Sequence, residues 1–193
     1  MTVFNKLSMQ FSGLLAFTRE LVLRPSSMGA ACPSSKYLAR AMAQQISLPI
    51  SGHLVELGAG TGVVTAALLE RGVQPRQLLV IEQSAALYQH LQNYFPQINV
   101  LHGDAQELSH LLQGKAGNVS AIVSSLPLLS LPPETASIIQ QQIYDVLQPG
   151  GLYIQYTYRL SQLKKMPAGF RYLSSHRIWL NLPPARIDVF QRL

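Results

Sequence analysis

The stretch His53–Gly62, which reads HLVELGAGTG, decides the fold of this 193-residue chain. Its first half is an apolar run that predicts a buried strand, and its three glycines predict a tight turn before a helix over Thr61–Arg71. Glycines at such a turn let a ligand approach the backbone closely. The dinucleotide-binding pattern G-x-G-x-x-G would need its third glycine where Val63 stands, so the spacing here is a different one, G-x-G-x-G.

Strand and helix patterns alternate through the rest of the chain. We predict strands at His53–Leu57, Leu78–Glu82, Asn99–His102, Ser120–Ser124 and Leu152–Tyr158, with helices in the intervals. Two further runs, Tyr172–Leu180 and Ala185–Gln191, are separated only by the Asn-Leu-Pro-Pro break at 181–184. They predict an antiparallel hairpin, because a parallel crossover needs a dozen or more residues. The expected fold is therefore α/β and Rossmann-like, a seven-stranded, mostly parallel sheet with a C-terminal antiparallel hairpin and helices on both faces.

Composition indicates one globular domain in a reducing compartment. Apolar residues make up 48% of the chain and charged residues 12%, which is typical of a protein with a full hydrophobic core. The single cysteine, Cys32, excludes an internal disulfide, and no secretory leader is recognisable. No apolar run approaches the roughly 20 residues that a membrane span needs. We expect a cytoplasmic protein with a single domain over 36–193, preceded by an N-terminal amphipathic helix and entry turn over 1–35.

The N-terminal segment has the spacing of an amphipathic helix. Its apolar residues recur three, four or seven positions apart, at Phe4, Leu7, Phe11, Leu14, Leu21 and Val22. Lys6, Arg19 and Arg24 accompany them. Such a helix can lie in the headgroup region of a membrane, or it can pack on the core of the domain. Both readings remain open, and the first predicts peripheral association with the inner face of the cell membrane.

Charge is distributed unevenly along the chain. Residues 1–40 carry five basic residues and one acid, residues 41–150 three and seven, and residues 151–193 seven and one. Basic ends around an acidic centre favour an anionic partner, either phospholipid or nucleic acid, although ordinary solvated surface has the same composition.

Three successive predicted strands end at or beside a carboxylate: Glu56, Glu82 and Asp104. Open α/β sheets bind ligands at the carboxyl ends of their strands. Carboxylates there accept hydrogen bonds, as an ammonium group, a ribose diol and an exocyclic amine require, and S-adenosylmethionine presents all three. The alternative for any one of these acids is the capping of a helix.

Several motifs together resemble class I methyltransferases over residues 53–150: VELGAGTG, the acid in LLVIEQS, LHGDA and SSLPLLSLPPE. A narrower resemblance extends along the chain, in MGAACPSS at 28–35, SSLPLLSLPPE at 124–134, QPGG at 148–151, IQYTY at 154–158 and IWLNLPPARIDVF at 178–190. These segments are similar to those of the bacterial phospholipid N-methyltransferases, which convert phosphatidylethanolamine stepwise to phosphatidylcholine.

The resemblance implies a set of site residues for S-adenosylmethionine. The methionine part would lie against Glu56, Gly58, Gly60 and Gly62, the ribose against Glu82, and the adenine against Asp104 and Ala105. Ala59, Thr61 and Gln83 would be further residues of the cofactor site. Ser124 would border the cofactor, and Ser125, Leu126 and Pro127 would form the motif beside the transferred methyl group.

The same motif distinguishes two substrate classes. The related rRNA adenine dimethyltransferases place Asn or Asp, then Pro and an aromatic residue after the fourth strand, so that the flipped base is hydrogen-bonded and stacked. Here the residues are Ser125, Leu126, Pro127 and Leu128, and a leucine cannot stack a base as a ring does. We expect N-methylation of the phosphatidylethanolamine headgroup at the membrane surface. An enzyme acting on RNA is the alternative, and a fold that only binds a partner is a third.

Candidates for binding the substrate lie near the C-terminus. Aromatic faces attract quaternary ammonium groups, for which Tyr156, Tyr158 and Trp179 are candidates. Arg177 suits a lipid phosphate because its guanidinium makes bidentate contacts, and Lys164 and Lys165 are weaker candidates. The five histidines show no metal-ligand spacing, so no metal site is predicted.

Overall fold

The computed structural model describes residues 35–115, 117–161 and 167–193. Within these residues one sheet of seven strands forms the centre of the fold. Its strands are β1 (His53–Leu57), β2 (Leu78–Glu82), β3 (Asn99–His102), β4 (Val119–Ser124), β5 (Leu147–Thr157), β6 (Phe170–Ile178) and β7 (Ala185–Arg192).

The strand order is β3-β2-β1-β4-β5-β7-β6. The first five strands are mutually parallel, β7 runs antiparallel to β5, and β6 runs antiparallel to β7. Because β1 pairs with β2 on one side and with β4 on the other, the chain reverses its direction of winding there. That reversal opens a crevice at the carboxyl ends of β1 and β4, where open α/β sheets bind their ligands.

Five helices flank the sheet in the described chain, α1 (Lys36–Ala43), α2 (Val63–Arg71), α3 (Ala85–Tyr94), α4 (Leu108–Leu111) and α5 (Pro133–Val146). Ser35 and Ser84 begin α1 and α3 by accepting hydrogen bonds from backbone N–H groups, as N-cap serines do. Gly72 ends α2 in the left-handed conformation, with φ of 107°.

Two apolar cores lie on opposite faces of the sheet. One contains Leu38, Met42, Leu68 and Leu91 from α1, α2 and α3. The other contains Leu108, Ile139, Ile143 and Val146 from α4 and α5. Strands β1, β2 and β4 contribute alternate residues to both, which is why their sequences are almost uninterruptedly apolar. The predicted fold class is confirmed, including helices on both faces and the terminal hairpin.

Several predicted boundaries shift. Helix α2 begins at Val63 rather than Thr61, because Gly62 is its N-cap in a left-handed conformation with φ of 83°. Strand β5 begins at Leu147 rather than Leu152, since Leu147 already pairs with Val119 before the Pro-Gly-Gly stretch. Strand β6 ends at Ile178, so Trp179 and Leu180 belong to the turn.

Residues 1–34 and 162–166 lie outside the described residues, and with them the predicted N-terminal helix and the lysines 164 and 165. In the described part of the chain, no helix has the length and apolar character needed to cross a bilayer.

Candidate active site

The glycine turn follows β1 directly and has one open side. Gly58, Gly60 and Gly62 all adopt positive φ, at 70°, 59° and 83°. A Cβ atom on Gly58 would come within 2.6 Å of Leu126 Cδ2, and one on Gly62 within 2.5 Å of Phe95 Cε2. A Cβ on Gly60 would meet nothing within 4 Å. The turn is therefore packed against protein at its ends and accessible at its middle.

Glu56 is fully buried in β1, two positions before the turn. Its Oε2 accepts a hydrogen bond of 2.7 Å from Thr65 Oγ1 on α2, and its Oε1 has no hydrogen-bond partner. Burial raises the pKa of Glu56 to about 7, with a smaller contribution from the nearby charge of Glu82, while the Thr65 hydrogen bond lowers it. A buried acceptor without a donor is costly, so Oε1 is suited to a donor brought by a ligand.

Glu82, at the end of β2, organises the turn itself. Its Oε2 accepts a 2.9 Å hydrogen bond from the backbone N–H of Gly60, and its Oε1 accepts one of 2.9 Å from that of Ser84. These contacts connect β2 to the middle of the glycine turn. Each carboxylate oxygen can accept a further hydrogen bond, which leaves capacity for a ligand hydroxyl.

Asp104, beyond β3, caps the short 3₁₀ helix Ala105–Glu107. Its Oδ1 accepts a 2.8 Å hydrogen bond from the backbone N–H of Gln106, and its Oδ2 accepts one of 2.8 Å from Gln83 Nε2. The capping alternative is thus realised at this acid. The structure also brings Asp104 and Gln83 together from two adjacent strand ends, while Ala105 beside them is buried.

The segment after β4 packs on the glycine turn. The Ser125 backbone N–H donates to the Leu57 carbonyl at 2.9 Å, and Leu126 occupies the space that a side chain at Gly58 would need. Leu128 is buried in the core on the α5 face, so this leucine is structural. Ser124 is buried too, and its Oγ accepts a 3.4 Å hydrogen bond from the Leu126 N–H.

Two polar residues on β5 hold this segment in place, and neither was among the site residues expected from the sequence. Gln155 Nε2 donates to the Leu126 carbonyl at 2.8 Å and to the Tyr156 carbonyl at 2.7 Å. Tyr153 donates from its hydroxyl to Gln155 Oε1 at 2.8 Å. Their only signal in the sequence is a polar residue within an apolar strand, which does not reveal its partner 29 residues away. Thr65, the partner of Glu56, was also missed.

A buried ion pair lies next to Gln155 on β7. Arg186 Nη2 and Asp188 Oδ2 are 2.8 Å apart, and both side chains are buried. Arg186 Nη1 and Asp188 Oδ1 have no hydrogen-bond partner. Burial, and then the charge of Asp188, raise the pKa of Tyr153 well above its ordinary value.

The proposed substrate residues occupy different environments. Tyr156 is buried in the core, and its ring meets that of Tyr158 edge-on with 5.5 Å between the centroids. Arg177 and Trp179 are exposed at the end of β6 and in the turn that follows. The described residues contain no cluster of three or more potential metal ligands.

The residues around the glycine turn fit S-adenosylmethionine. The unpartnered Oε1 of Glu56 suits its ammonium group, Glu82 has capacity for a ribose hydroxyl, and the open side of Gly60 leaves room for the ligand. All of these groups lie near the carboxyl ends of β1 and β2 or in the glycine turn that follows β1.

Comparison with known proteins places this arrangement in context. Residues 54–151 match the family described as "methyltransferase domain". The ornithine lipid N-methyltransferase of Singulisphaera acidiphila is 29% identical over 136 residues, which are 68% of this chain and 71% of the relative. Ribosomal RNA small subunit methyltransferase A of Chlorobium chlorochromatii is 32% identical over 75 residues, which are 39% of this chain and 27% of the relative.

Solved structures share the fold at low sequence identity. A TehB-like methyltransferase from Corynebacterium glutamicum aligns with a TM-score of 0.65 at 15% identity, covering 92% of this chain and 99% of its own. TrmN from Thermus thermophilus aligns with a TM-score of 0.69 at 17% identity, covering 91% of this chain and 52% of its own.

Proposed function

Because this chain belongs to the methyltransferase domain family, as a class I enzyme that uses S-adenosylmethionine, we propose that it N-methylates the amine headgroup of a membrane lipid. Phosphatidylethanolamine is the first proposed substrate, converted towards phosphatidylcholine. An ornithine lipid is the second substrate to test, because the relative from Singulisphaera acidiphila is named for N-methylation of that lipid.

The observation that carries the proposal is the apolar segment after β4. Ser125–Leu128 contains neither the amide or acid nor the aromatic ring with which a base methyltransferase would hold a flipped adenine. Leu126 instead packs over Gly58 at the centre of the site. An apolar surface there suits a small aliphatic amine better than a purine ring, because stacking requires a flat π face.

The contacts around the glycine turn indicate the role that we propose for each residue. When bound, S-adenosylmethionine supplies an electrophilic methyl group on a sulfonium. Glu56 and the glycine turn would hold the methyl donor. Gln155 fixes the position of the Leu126 carbonyl by a hydrogen bond, and Leu126 would form the apolar surface beside the methyl group. The headgroup ammonium must first lose a proton to solvent, so that the nitrogen lone pair can form the new N–C bond while the S–C bond breaks and S-adenosylhomocysteine leaves. The lone pair must lie in line with the methyl group, so alignment is what the chain must provide. Tyr158 is a candidate for contact with the methylated ammonium.

The test uses the purified full chain and S-adenosylmethionine labelled in its methyl group. It is incubated separately with phosphatidylethanolamine vesicles, with ornithine lipid vesicles and with rRNA. We expect label in a lipid fraction, and Glu56→Gln should abolish it. Glu70→Gln, which changes an exposed carboxylate on α2, is the matched control and should retain it.

An RNA substrate is the second candidate, because the 75-residue match to a ribosomal RNA methyltransferase and the basic chain ends favour it. Label in rRNA and in neither lipid would establish that candidate and refute the lipid proposal. Label in no fraction, with the cofactor still bound, would indicate a different acceptor.

A further inference from the structure

We propose that the turn between β6 and β7, residues 179–184, docks into the headgroup region of an anionic phospholipid bilayer. This segment is named the hairpin tip below. The inference rests on the proposed lipid substrate and adds to it the surface by which the enzyme meets the membrane. Four observations support it. The hairpin tip exposes apolar side chains, it lies beside the candidate site, its conformation is held by hydrogen bonds, and exposed arginines flank it.

The hairpin tip exposes three large apolar side chains within four residues. Trp179 is 64% exposed, Leu180 72% and Leu182 87%. Single exposed leucines are ordinary, whereas a contiguous apolar patch marks an interaction site. Tryptophan is characteristic of the membrane interface, where its ring has both an apolar face and a polar N–H.

Strand register places the hairpin tip at the edge that carries the glycine turn. Leu57, Ser124, Gln155 and Asp188 are successive register partners across β1, β4, β5 and β7. Gly58 follows Leu57 directly, and β7 begins three residues before Asp188 at Ala185. Three strand spacings correspond to about 14 Å across the sheet, and three residues to about 10 Å along it. The tip therefore projects beyond the site edge, a short distance to its side.

The turn is held in this conformation by a buried polar residue. Asn181 is only 2% exposed although it lies between Leu180 and Leu182. Its Oδ1 accepts a 3.0 Å hydrogen bond from the Ser35 N–H, and its Nδ2 donates to the Pro183 carbonyl at 2.7 Å. The usual order of burial is thus inverted, with the amide inside and the leucines outside. Because the apolar side chains are already outside, docking needs no rearrangement of the turn.

Charge around the hairpin tip complements an anionic surface. Arg159 and Arg177 are exposed near the ends of β5 and β6. Asp188 is the only acid in the sequence after Asp145, and its charge is paired with Arg186. Apolar side chains with flanking arginines suit a bilayer, whose anionic lipids attract the cations while the acyl boundary receives the leucines. A nucleic acid would use the arginines and leave the leucines in water.

Trp179 is the only tryptophan in the chain, so its fluorescence reports directly on the hairpin tip. The full chain is titrated with phosphatidylcholine vesicles containing phosphatidylglycerol. We expect a blue shift of the emission and protection from an aqueous quencher, both reversed by raising the salt concentration. Co-sedimentation with vesicles and unchanged Trp179 emission would overturn the proposal, because another surface would then make the contact. A shift produced by rRNA but by no vesicle would overturn it as well.

Two variants at the tip provide a second, independent measurement. Leu180→Ser and Leu182→Ser should each weaken vesicle binding about tenfold, which corresponds to the loss of one buried leucine side chain. The matched control is Leu193→Ser, since Leu193 is 68% exposed at the opposite end of β7. It should leave vesicle binding unchanged. Equal weakening by all three, or by none, would refute the assignment to the tip.

Activity on a monomeric short-chain phosphatidylethanolamine separates this inference from the proposed function. The tip variants should methylate that soluble lipid at the wild-type rate while losing activity on vesicles. If the wild type does not methylate it but Trp179 still inserts, the proposed substrate fails and the docking surface stands. If methylation proceeds and Trp179 does not insert, the substrate stands and the docking surface fails.

Discussion

At the scale of the residue, the burial of the Glu56 carboxyl makes the stability of the fold depend on pH. The group is fully buried, so ionisation in the folded protein costs more than in the unfolded chain, and its pKa rises from 4.5 to about 7. Below pH 4.5 the carboxyl is neutral in both states and contributes no penalty. As the pH rises from 4.5 towards 7, Glu56 ionises in the unfolded chain before it ionises in the folded protein. The contribution of Glu56 to the unfolding free energy therefore falls across that window and is constant above it.

We therefore predict that Glu56→Gln removes this pH dependence. Between about pH 4.5 and about pH 8 the wild type should lose about 3 kcal/mol of unfolding free energy that the variant does not lose. Urea denaturation without cofactor at several pH values measures it. The same variant should bind S-adenosylmethionine more weakly at about pH 8, because the amide presents no charge to an ammonium group. Parallel stability curves for the two proteins would show that Glu56 has an ordinary pKa.

The glycines of the turn make a second prediction at this scale, with a built-in control. Gly60→Ala and Gly114→Ala both place a methyl group in open space at positive φ, 59° and 74°, and each should cost about 1 kcal/mol of stability. Only Gly60→Ala should weaken cofactor binding, as measured by calorimetry. Gly62→Ala should cost about 3 kcal/mol, because its Cβ also collides with Phe95. Equal cofactor affinity in the Gly60 and Gly114 variants would exclude Gly60 from the binding surface.

At the scale of the element, β7 carries the buried pair Arg186 and Asp188 within the sheet. Removing one charge leaves the other buried without its partner, so Asp188→Asn should cost about 3–5 kcal/mol of unfolding free energy. Glu70→Gln breaks an exposed pair with Arg40, 3.4 Å apart, and should change it by less than about 1 kcal/mol. Urea denaturation compares the two carboxylate-to-amide changes. A small effect at Asp188 would mean that water reaches the pair.

At the scale of the whole molecule, the parallel sheet brings the residues of the candidate site to one edge. Residues that lie far apart in the chain, Glu56, Glu82, Asp104 and Leu126, reach one edge because the strands that carry or precede them run in the same direction. The reversed β7 then returns the chain so that the hairpin tip lies at that edge as well. The glycine turn, the segment after β4 and the exposed hairpin tip thus lie on one side of the described domain.

Much of this followed from local patterns in the sequence. Short apolar runs predicted the strands, and the bounds of β1, β2 and β3 are those expected. The spacing of the last two runs allowed only a hairpin. Boundaries at Val63, Leu147 and Ile178 were misplaced, because a left-handed N-cap and pairing with a distant strand determine them rather than propensity.

By itself the sequence determined the fold class, the glycine turn and the cofactor, because alternation of strand and helix and the order of acids after strands are local properties. Only the tertiary structure decided which polar atoms remain without a hydrogen-bond partner and which side chains are exposed. It showed that Glu56 keeps one oxygen unpartnered, that Asp104 caps a helix, that Gln155 holds the Leu126 carbonyl, and that Asn181 is buried between two exposed leucines. Burial and pairing depend on contacts between residues far apart in the chain, which no local pattern contains.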